Sequence, residues 1–468
     1  MTPQIEEYLG QRVHMIGIGG SSMSGLAEML QQEGYIVTGS DANDSHAAKR
    51  LRLRGIPVSV GHHPEIIDGA RLVVYSAAIA KDDVERVEAE RLNIPQMERA
   101  VLLGRLMRGY RETVCICGTH GKTTTSAMIS QMLMGMGMNP TVHIGGRLDA
   151  LGGSTRLGGK DIFVAEACEF NRSFLNMPPT IVVLLNIEED HLDCYGDMEH
   201  VEEAFFQFLS MLPPDGLVIA NHEDPRVMRL LEKLPRKAET FGFHSGDWTI
   251  DNLRTDDEGH SSFTALMHGK PMAEVQLRVA GDFNALHALA AIACAKALGG
   301  NMLTAADALN AFAGAHRRFE FTGMVNGMKM YHDYGHNPAE MKNAIGVARL
   351  QKRRVIAVMQ PHTYSRVINL FDSYLTCTQE ADITLVTDIY GAREKDPGTI
   401  NSQMLVDGMR AHGIKAYLTP SFEDTEQWLL RNGREGDLVL TMGCGNINLL
   451  NEQMQQHWEN NVQQLEEK

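Results

Sequence analysis

The sequence predicts an α/β protein of three domains, each built on a mostly parallel sheet. Short apolar runs rich in Val and Ile alternate with helix-spaced segments along the chain. Two of these runs end in glycine turns that open helices, at residues 17–22 and 118–121. At 468 residues the chain is too long for one core. Domains are expected at 1–108, 109–316 and 317–468, with residues 105–112 as a polar, basic linker.

In the first domain, residues 13–16 read as a buried strand, 17–22 as a turn and 23–33 as a helix. Further strands are expected at 35–41 and 72–76. The second domain begins with the apolar run 113–117, a glycine loop and a helix from about Lys122. Strands follow at 162–166 and 181–186, then a helix at 200–212. Residues 247–279 read as short strands and turns inserted before a helix at 285–298. The third domain alternates again, with strands at 355–359, 383–387 and 438–442. The Gln- and Glu-rich tail, 451–468, reads as a surface helix.

Composition narrows the class. Apolar residues make up 43% and charged residues 22%, as in ordinary globular proteins. A net charge of −16 argues against sequence-independent nucleic-acid binding. No apolar run reaches the roughly 20 residues of a membrane span. The first twelve residues are polar and lack a signal-peptide core. Seven cysteines without a CxxC pair suit a reducing compartment, and Cys115 and Cys117 read as packing residues.

The chemistry concentrates in Gly118-Thr119-His120-Gly121-Lys122-Thr123-Thr124. Such a turn aims backbone N–H groups and a helix start at a nucleotide phosphate. Lys122 can reach terminal phosphates, and a Thr hydroxyl can ligate Mg²⁺. The usual spacing needs a Gly at position 116, which is Ile116, so the loop is a shortened one. Glu166 and His191 each lie at or just past a later strand of the same domain. Strand ends of a parallel sheet share one edge, so both could face a bound triphosphate. Gly17, Gly19 and Ser22 resemble a dinucleotide fingerprint, with Asp41 at the end of the next strand. A ligand-free strand–helix turn would use the same residues. Asn284 could pair with an adenine edge or cap its helix. Arg317 or Arg318 could offset charge on a phosphoryl group, and Arg366 could clamp a carboxylate.

These motifs, in this order and over essentially the whole chain, resemble the Mur ligases of peptidoglycan synthesis. The resemblance implies Rossmann-like first and last domains around a central P-loop-type ATPase. It implies ATP as co-substrate, UDP-N-acetylmuramate as acyl donor and L-alanine as amine. Gly17, Gly19, Gly20, Ser21, Ser22 and Asp41 would hold the UDP-sugar. The loop from Gly118 to Thr124 would bind ATP, with Asn284 at the adenine, Arg318 at phosphate and Asp333 at the ribose. Thr123, Glu166 and His191 would hold two Mg²⁺ ions. Lys122, His191 and Arg318 would be the catalytic groups, and His336, His362 and Arg366 would position the amino acid. It further implies a cytoplasmic monomer or homodimer without membrane or nucleic-acid partners.

Several positions depart from the family pattern. Cys168 stands where a carboxylate is common, His287 and Asn337 replace an Asn and a His, and Thr363 replaces an Arg beside the amino-acid site. No lysine lies between His191 and Leu212, where other Mur ligases carry a carbamoylated one; the alanine-adding branch also lacks it. Glycine or serine as the amine stays open, as does a preformed tripeptide joined to the same sugar. A hydride-transferring enzyme, suggested by the first hundred residues alone, leaves the phosphate loop unexplained.

Overall fold

A computed structural model describes residues 3–189, 192–392 and 394–466. Three mostly parallel sheets carry the chain, as the alternation of apolar runs predicts. The first contains β1 (Arg12–Ile16), β2 (Ile36–Asp41), β3 (Val58–Val60), β4 (Leu72–Tyr75) and β5 (Gln96–Glu98), in the order β3-β2-β1-β4-β5. All its pairings are parallel. The strand order reverses between β1 and β4, the place where open sheets of this kind admit ligands.

The second sheet has ten strands: β6 (Glu112–Cys117), β7 (Thr141–Leu148), β8 (Gly153–Arg156), β9 (Ile162–Glu166), β10 (Ile181–Leu184), β11 (Leu217–Asn221), β12 (Lys237–Phe241), β13 (Trp248–Thr255), β14 (His260–Met267) and β15 (Lys270–Ala280). Their order is β15-β14-β13-β12-β11-β10-β6-β9-β7-β8. The central β6 pairs in parallel with β10 on one side and β9 on the other. Val114 to Cys117 are fully buried, which accounts for an unbroken apolar run rather than an alternating one.

The third sheet contains β16 (Glu320–Val325), β17 (Met328–Asp333), β18 (Val355–Met359), β19 (Ile383–Val386), β20 (Ala416–Leu418) and β21 (Leu438–Met442), ordered β16-β17-β21-β18-β19-β20. Only β16 runs antiparallel to its neighbour. Helices cover both faces, giving one core around Met341, Ala357 and Leu440 and another around Met330, Val358 and Val439.

Spatially the chain forms two compact units. One runs to Leu253 and includes Phe263–Gln276 and Ala285–Phe312; the other holds Arg254–Ser262, Leu277–Asn284 and the chain from Ala313 onward.

Four details differ from the sequence reading. Residues 105–107 are not linker but the end of a helix, Arg99–Met107, that buries Leu102, Leu103 and Met107. Residues 248–280 form strands of 8, 8 and 11 residues that extend the central sheet. The sequence reading proposed no strand at β7 and β8, whose two glycines at 145 and 146 mask their character. The last helix begins at Asn448, and its first turns bury Leu450 and Met454.

Candidate functional site

The parallel register of β9, β6 and β10 puts three strand exits on one edge. The loop after β6 turns at Gly121, whose φ of 86° is left-handed. A Cβ there would come within 2.2 Å of Nε2 of His287, so glycine is required twice over. The helix Lys122–Gly135 starts immediately after.

Asn186 at the exit of β10 stitches this loop: its Oδ1 accepts the His120 N–H at 2.8 Å and its Nδ2 donates to the His120 carbonyl at 3.1 Å. The Thr119 hydroxyl accepts the Glu188 N–H at 2.8 Å. His120 Nε2 lies 3.6 Å from Glu188 Oε2. Thr124 is half-buried in the first helical turn.

Lys122 Nζ donates to the Gly118 carbonyl at 2.5 Å, the Thr119 carbonyl at 3.0 Å and Glu169 Oε1 at 2.9 Å. Burial alone presses its ammonium toward losing a proton, but the charge of Glu169, with Cys168 and Glu166, outweighs it and holds the proton more tightly than in free lysine. Next to it, Thr123 donates its hydroxyl to Glu166 Oε2 at 2.9 Å, and Gly145 N–H reaches the same oxygen at 2.8 Å. Burial pushes the Cys168 thiol up to about 11, so it stands there uncharged. His287 is also buried, and burial, then the charge of His120, pushes it down to about 4. It meets the loop as a neutral ring.

The first glycine turn follows β1. Gly17 and Ile18 N–H groups both reach the Ser40 carbonyl, at 2.8 and 3.0 Å. The two oxygens of Asp41 accept from Gly19 N–H at 2.9 Å and Asn43 N–H at 3.0 Å, so the carboxylate braces the turn. Gly20 and Ser21 are exposed. Ser22 faces β7 instead: its hydroxyl lies 2.8 Å from His143 Nε2 and accepts from Arg99 Nη1 at 3.1 Å. A serine thus occupies the third glycine position because it has a partner there.

In the second unit, Asp333 ends β17. Its carboxylate accepts Phe319 N–H at 2.8 Å and Gly335 N–H at 2.7 Å. Burial raises its proton affinity, against the pull of nearby Arg318 and those N–H groups. Arg317 and Arg318 flank the Tyr334 ring, at 4.8 and 5.2 Å from its centroid. Arg317 is a framework residue, donating to His332 Nε2 at 3.0 Å and to the Gly443 and Gly445 carbonyls at 2.9 and 3.0 Å. Asn284 is buried in the first turn of its helix, and its Nδ2 donates to the Ala280 carbonyl at 2.7 Å.

His336 and His362 lie edge to face with centroids 6.1 Å apart, and His362 stacks on Tyr390 at 5.7 Å. Burial, then Arg366 and His336, push His362 down to about 4. Arg366 Nη1 donates to the His362 carbonyl at 2.9 Å, which fixes the guanidinium over the start of its helix. Glu394 Oε1 accepts from Thr363 at 2.6 Å and Ser365 at 2.5 Å. Asn337 caps the helix Pro338–Leu350 through a capping box with Glu340.

The structure thus brings Gly118 to Thr123 together with Glu166, and groups Arg318 with Asp333 and His336 with His362 and Arg366. His191 lies outside the described residues. Among the described residues no cluster of three or more His, Cys, Asp or Glu could hold a metal ion, and no helix is long and apolar enough to cross a membrane. Sequence reasoning gave no role to Glu169, Arg99, His143, Tyr390 or Glu394. Only Glu169 carried a signal, three residues past Glu166 at a strand exit.

The profile described as Mur ligase family, catalytic domain matches residues 12–111; Mur ligase middle domain matches 116–295; and Mur ligase, glutamate ligase domain matches 317–445. The UDP-N-acetylmuramate–L-alanine ligase of Acetivibrio thermocellus is 42% identical over 93% of this chain and 94% of its own. That of Caldanaerobacter subterraneus is 42% identical over 93% and 95%. A solved UDP-N-acetylmuramate–alanine ligase from Thermotoga maritima superposes with a TM-score of 0.83 at 27% identity, covering 96% of this chain and 100% of that one. A murein peptide ligase from Psychrobacter arcticus gives 0.73 at 25% identity, over 96% and 98%. On profiles, identity and fold alike, the chain belongs to the Mur ligase family.

Proposed function

We propose that the protein joins L-alanine to the lactyl carboxylate of UDP-N-acetylmuramate with ATP, releasing ADP and phosphate, in cytoplasmic synthesis of peptidoglycan precursors. The observation that carries this reading is the cluster of Lys122, Thr123, Glu166 and Glu169 on the edge formed by β6, β9 and β10. It sets a cation, a hydroxyl and carboxylates beside the glycine loop, as phosphoryl transfer requires.

A carboxylate is a poor acyl donor because its leaving group would be oxide. Transfer of the γ-phosphoryl group to it makes an acyl phosphate, which the neutral amine then attacks; phosphate leaves from the tetrahedral intermediate. The loop N–H groups and Lys122 hold the transferring phosphate, and Arg318 offsets its charge. Thr123 and Glu166 offer the hard oxygen donors that Mg²⁺ takes, and their convergence on one point fits such an ion. Bound there, Mg²⁺ would neutralise triphosphate charge. His336, His362 and Arg366 orient the amino acid, with His362 neutral and Arg366 facing its carboxylate. We place the domain boundaries near residues 108 and 316.

Phosphate release in the presence of ATP and UDP-N-acetylmuramate, measured across alanine, glycine, serine and a murein tripeptide, tests the reading. Alanine is expected to give the highest kcat/KM. Faster turnover with the tripeptide, or none with alanine, would overturn it.

A further inference from the structure

β18 and β19 are parallel neighbours, so the segments that leave them emerge together at one edge of the third sheet. The pairing continues past both strands. Tyr390 N–H donates to the Pro361 carbonyl at 2.9 Å, and His362 forms a parallel bridge with Tyr390. Their rings stack with planes 13° apart. The first segment then enters the short helix Tyr364–Asn369, which carries Arg366 in its opening turn.

That helix has no side-chain cap of its own. Thr363 stands at the N-cap position, but its hydroxyl accepts no N–H of the helix. It donates instead to Glu394 Oε1 at 2.6 Å, and the Ser365 hydroxyl donates to the same oxygen at 2.5 Å. Glu394 Oε2 accepts the Ser365 N–H at 2.8 Å, so a carboxylate 29 residues further along the chain caps the first turn. The Glu394 N–H in turn donates to the Gly391 carbonyl at 2.9 Å, one residue past Tyr390. Desolvation works against the charge of Glu394, yet the bonds from Ser365 and Thr363 outweigh it and hold its proton affinity below that of a free carboxylate. Glu394 is thus one clasp on two segments, the one that carries His362 and Arg366 and the one that carries Tyr390. It is exposed, and exposed contacts add little to global stability, so its consequence is local order.

Resting on the proposed function, we infer that Glu394 is a positioning residue for the amino acid: through Thr363 and Ser365 it holds the turn that aims Arg366, and it keeps Tyr390 stacked on His362. A guanidinium that meets a carboxylate binds it best when already in place, because ordering a long side chain during binding costs affinity. Arg366 Nη1 already rests on the His362 carbonyl at 2.9 Å, and that bond spans the turn that Glu394 caps. The effect of the clasp therefore falls on affinity for the amino acid, not on ATP or UDP-N-acetylmuramate.

Steady-state phosphate release, with each substrate varied in turn, compares wild type with E394A, E394Q, the double variant T363A/S365A and the triple variant that joins it to E394A. E394A is expected to raise the alanine KM about tenfold, with kcat within about threefold. The KM values for ATP and UDP-N-acetylmuramate should stay within about twofold, and the melting temperature within about 2 °C. E394Q keeps one acceptor oxygen and should fall between wild type and E394A. T363A/S365A removes both hydroxyl donors and should raise the alanine KM as well. Adding E394A to it should cost less than E394A costs alone, because these groups act through one another. An unchanged alanine KM in E394A overturns the inference, as does full additivity in the triple variant. So does a rise shared by all three substrates with a lowered melting temperature, which marks a structural role. A wild type that releases no phosphate with alanine fails the proposed function itself, a result distinct from any effect of the variants.

Discussion

Replacing Glu169 with alanine should destabilise the first unit far more than a surface charge would. The side chains of Lys122 and Glu169 are 12% and 4% exposed and meet at 2.9 Å. Removing one member of such a buried pair strands the other, at about 3–5 kcal/mol. Near the midpoint, roughly 1 kcal/mol shifts a domain of this size by about 2–4 °C. E169A should therefore lower the melting temperature of the ligand-free protein by about 6–20 °C. Because Lys122 holds its proton more tightly folded than unfolded, the pair's contribution is complete below the unfolded lysine value of about 10.4 and fades only as pH rises through the folded one. The deficit should thus be constant between pH 6 and 9. Differential scanning calorimetry of wild type, E169A, K122M and K122M/E169Q supplies the assay. The double variant, with neither charge left, should recover part of the loss. A cost below about 1 kcal/mol for E169A, or singles that simply add in the double, would refute the argument.

G121A should weaken an ATP analogue more than tenfold, as read by titration, because the new methyl meets His287 at a left-handed backbone position; unchanged affinity contradicts the loop geometry. In the first unit, His143 and His287 are held neutral down to about 3 and 4, against about 6.5 when unfolded. Their contribution is present above pH 6.5 and lost as pH falls, at about 1.4 kcal/mol per pH unit for each ring; urea melts at pH 7 and 5 check this, and equal stability at both speaks against it. N337A should cost about 1 kcal/mol in the same melts by removing the capping box, and no loss would place that cap outside the stability of the second unit. Excess chelator should abolish phosphate release and Mg²⁺ restore it, while turnover that survives chelation contradicts the oxygen-donor reading of Thr123 and Glu166.

The sheets were legible because their strands are buried on both faces, so each appears as an apolar run, as with Val114 to Cys117 and Leu438 to Met442. Where that condition fails the reading fails too: β13 exposes Asp251 to Thr255 and β7 carries two glycines. The loop at Gly118 was legible because backbone geometry dictates glycine and the chemistry dictates lysine. Its partners were harder. Glu394 meets Thr363 across 31 residues and Arg99 meets Ser22 across 77, pairings that only the fold creates. The departures at Ser22 and Asn337 became intelligible only through such contacts, one as a hydrogen-bond partner of His143 and Arg99 and the other as a helix cap.

The resting site also explains how a cluster this polar survives without ligand. The two loop side chains proposed to meet the ATP phosphates and Mg²⁺ are each already held by a neighbour. Lys122 is held by two carbonyls of its own loop and by Glu169, and Thr123 by Glu166. Binding therefore exchanges partners rather than exposing bare charges, and the loop need not be ordered at that moment. Glu169 differs from Glu166 in this exchange. Glu166 shares its oxygen with Thr123 and Gly145, close to the helix start where hard oxygens are wanted. Glu169 sits deeper, with Tyr195 donating to its carbonyl at 2.5 Å, and keeps Lys122 charged and aimed. With Cys168 uncharged between them in the sequence, one carboxylate engages the Thr123 hydroxyl and the other the Lys122 ammonium.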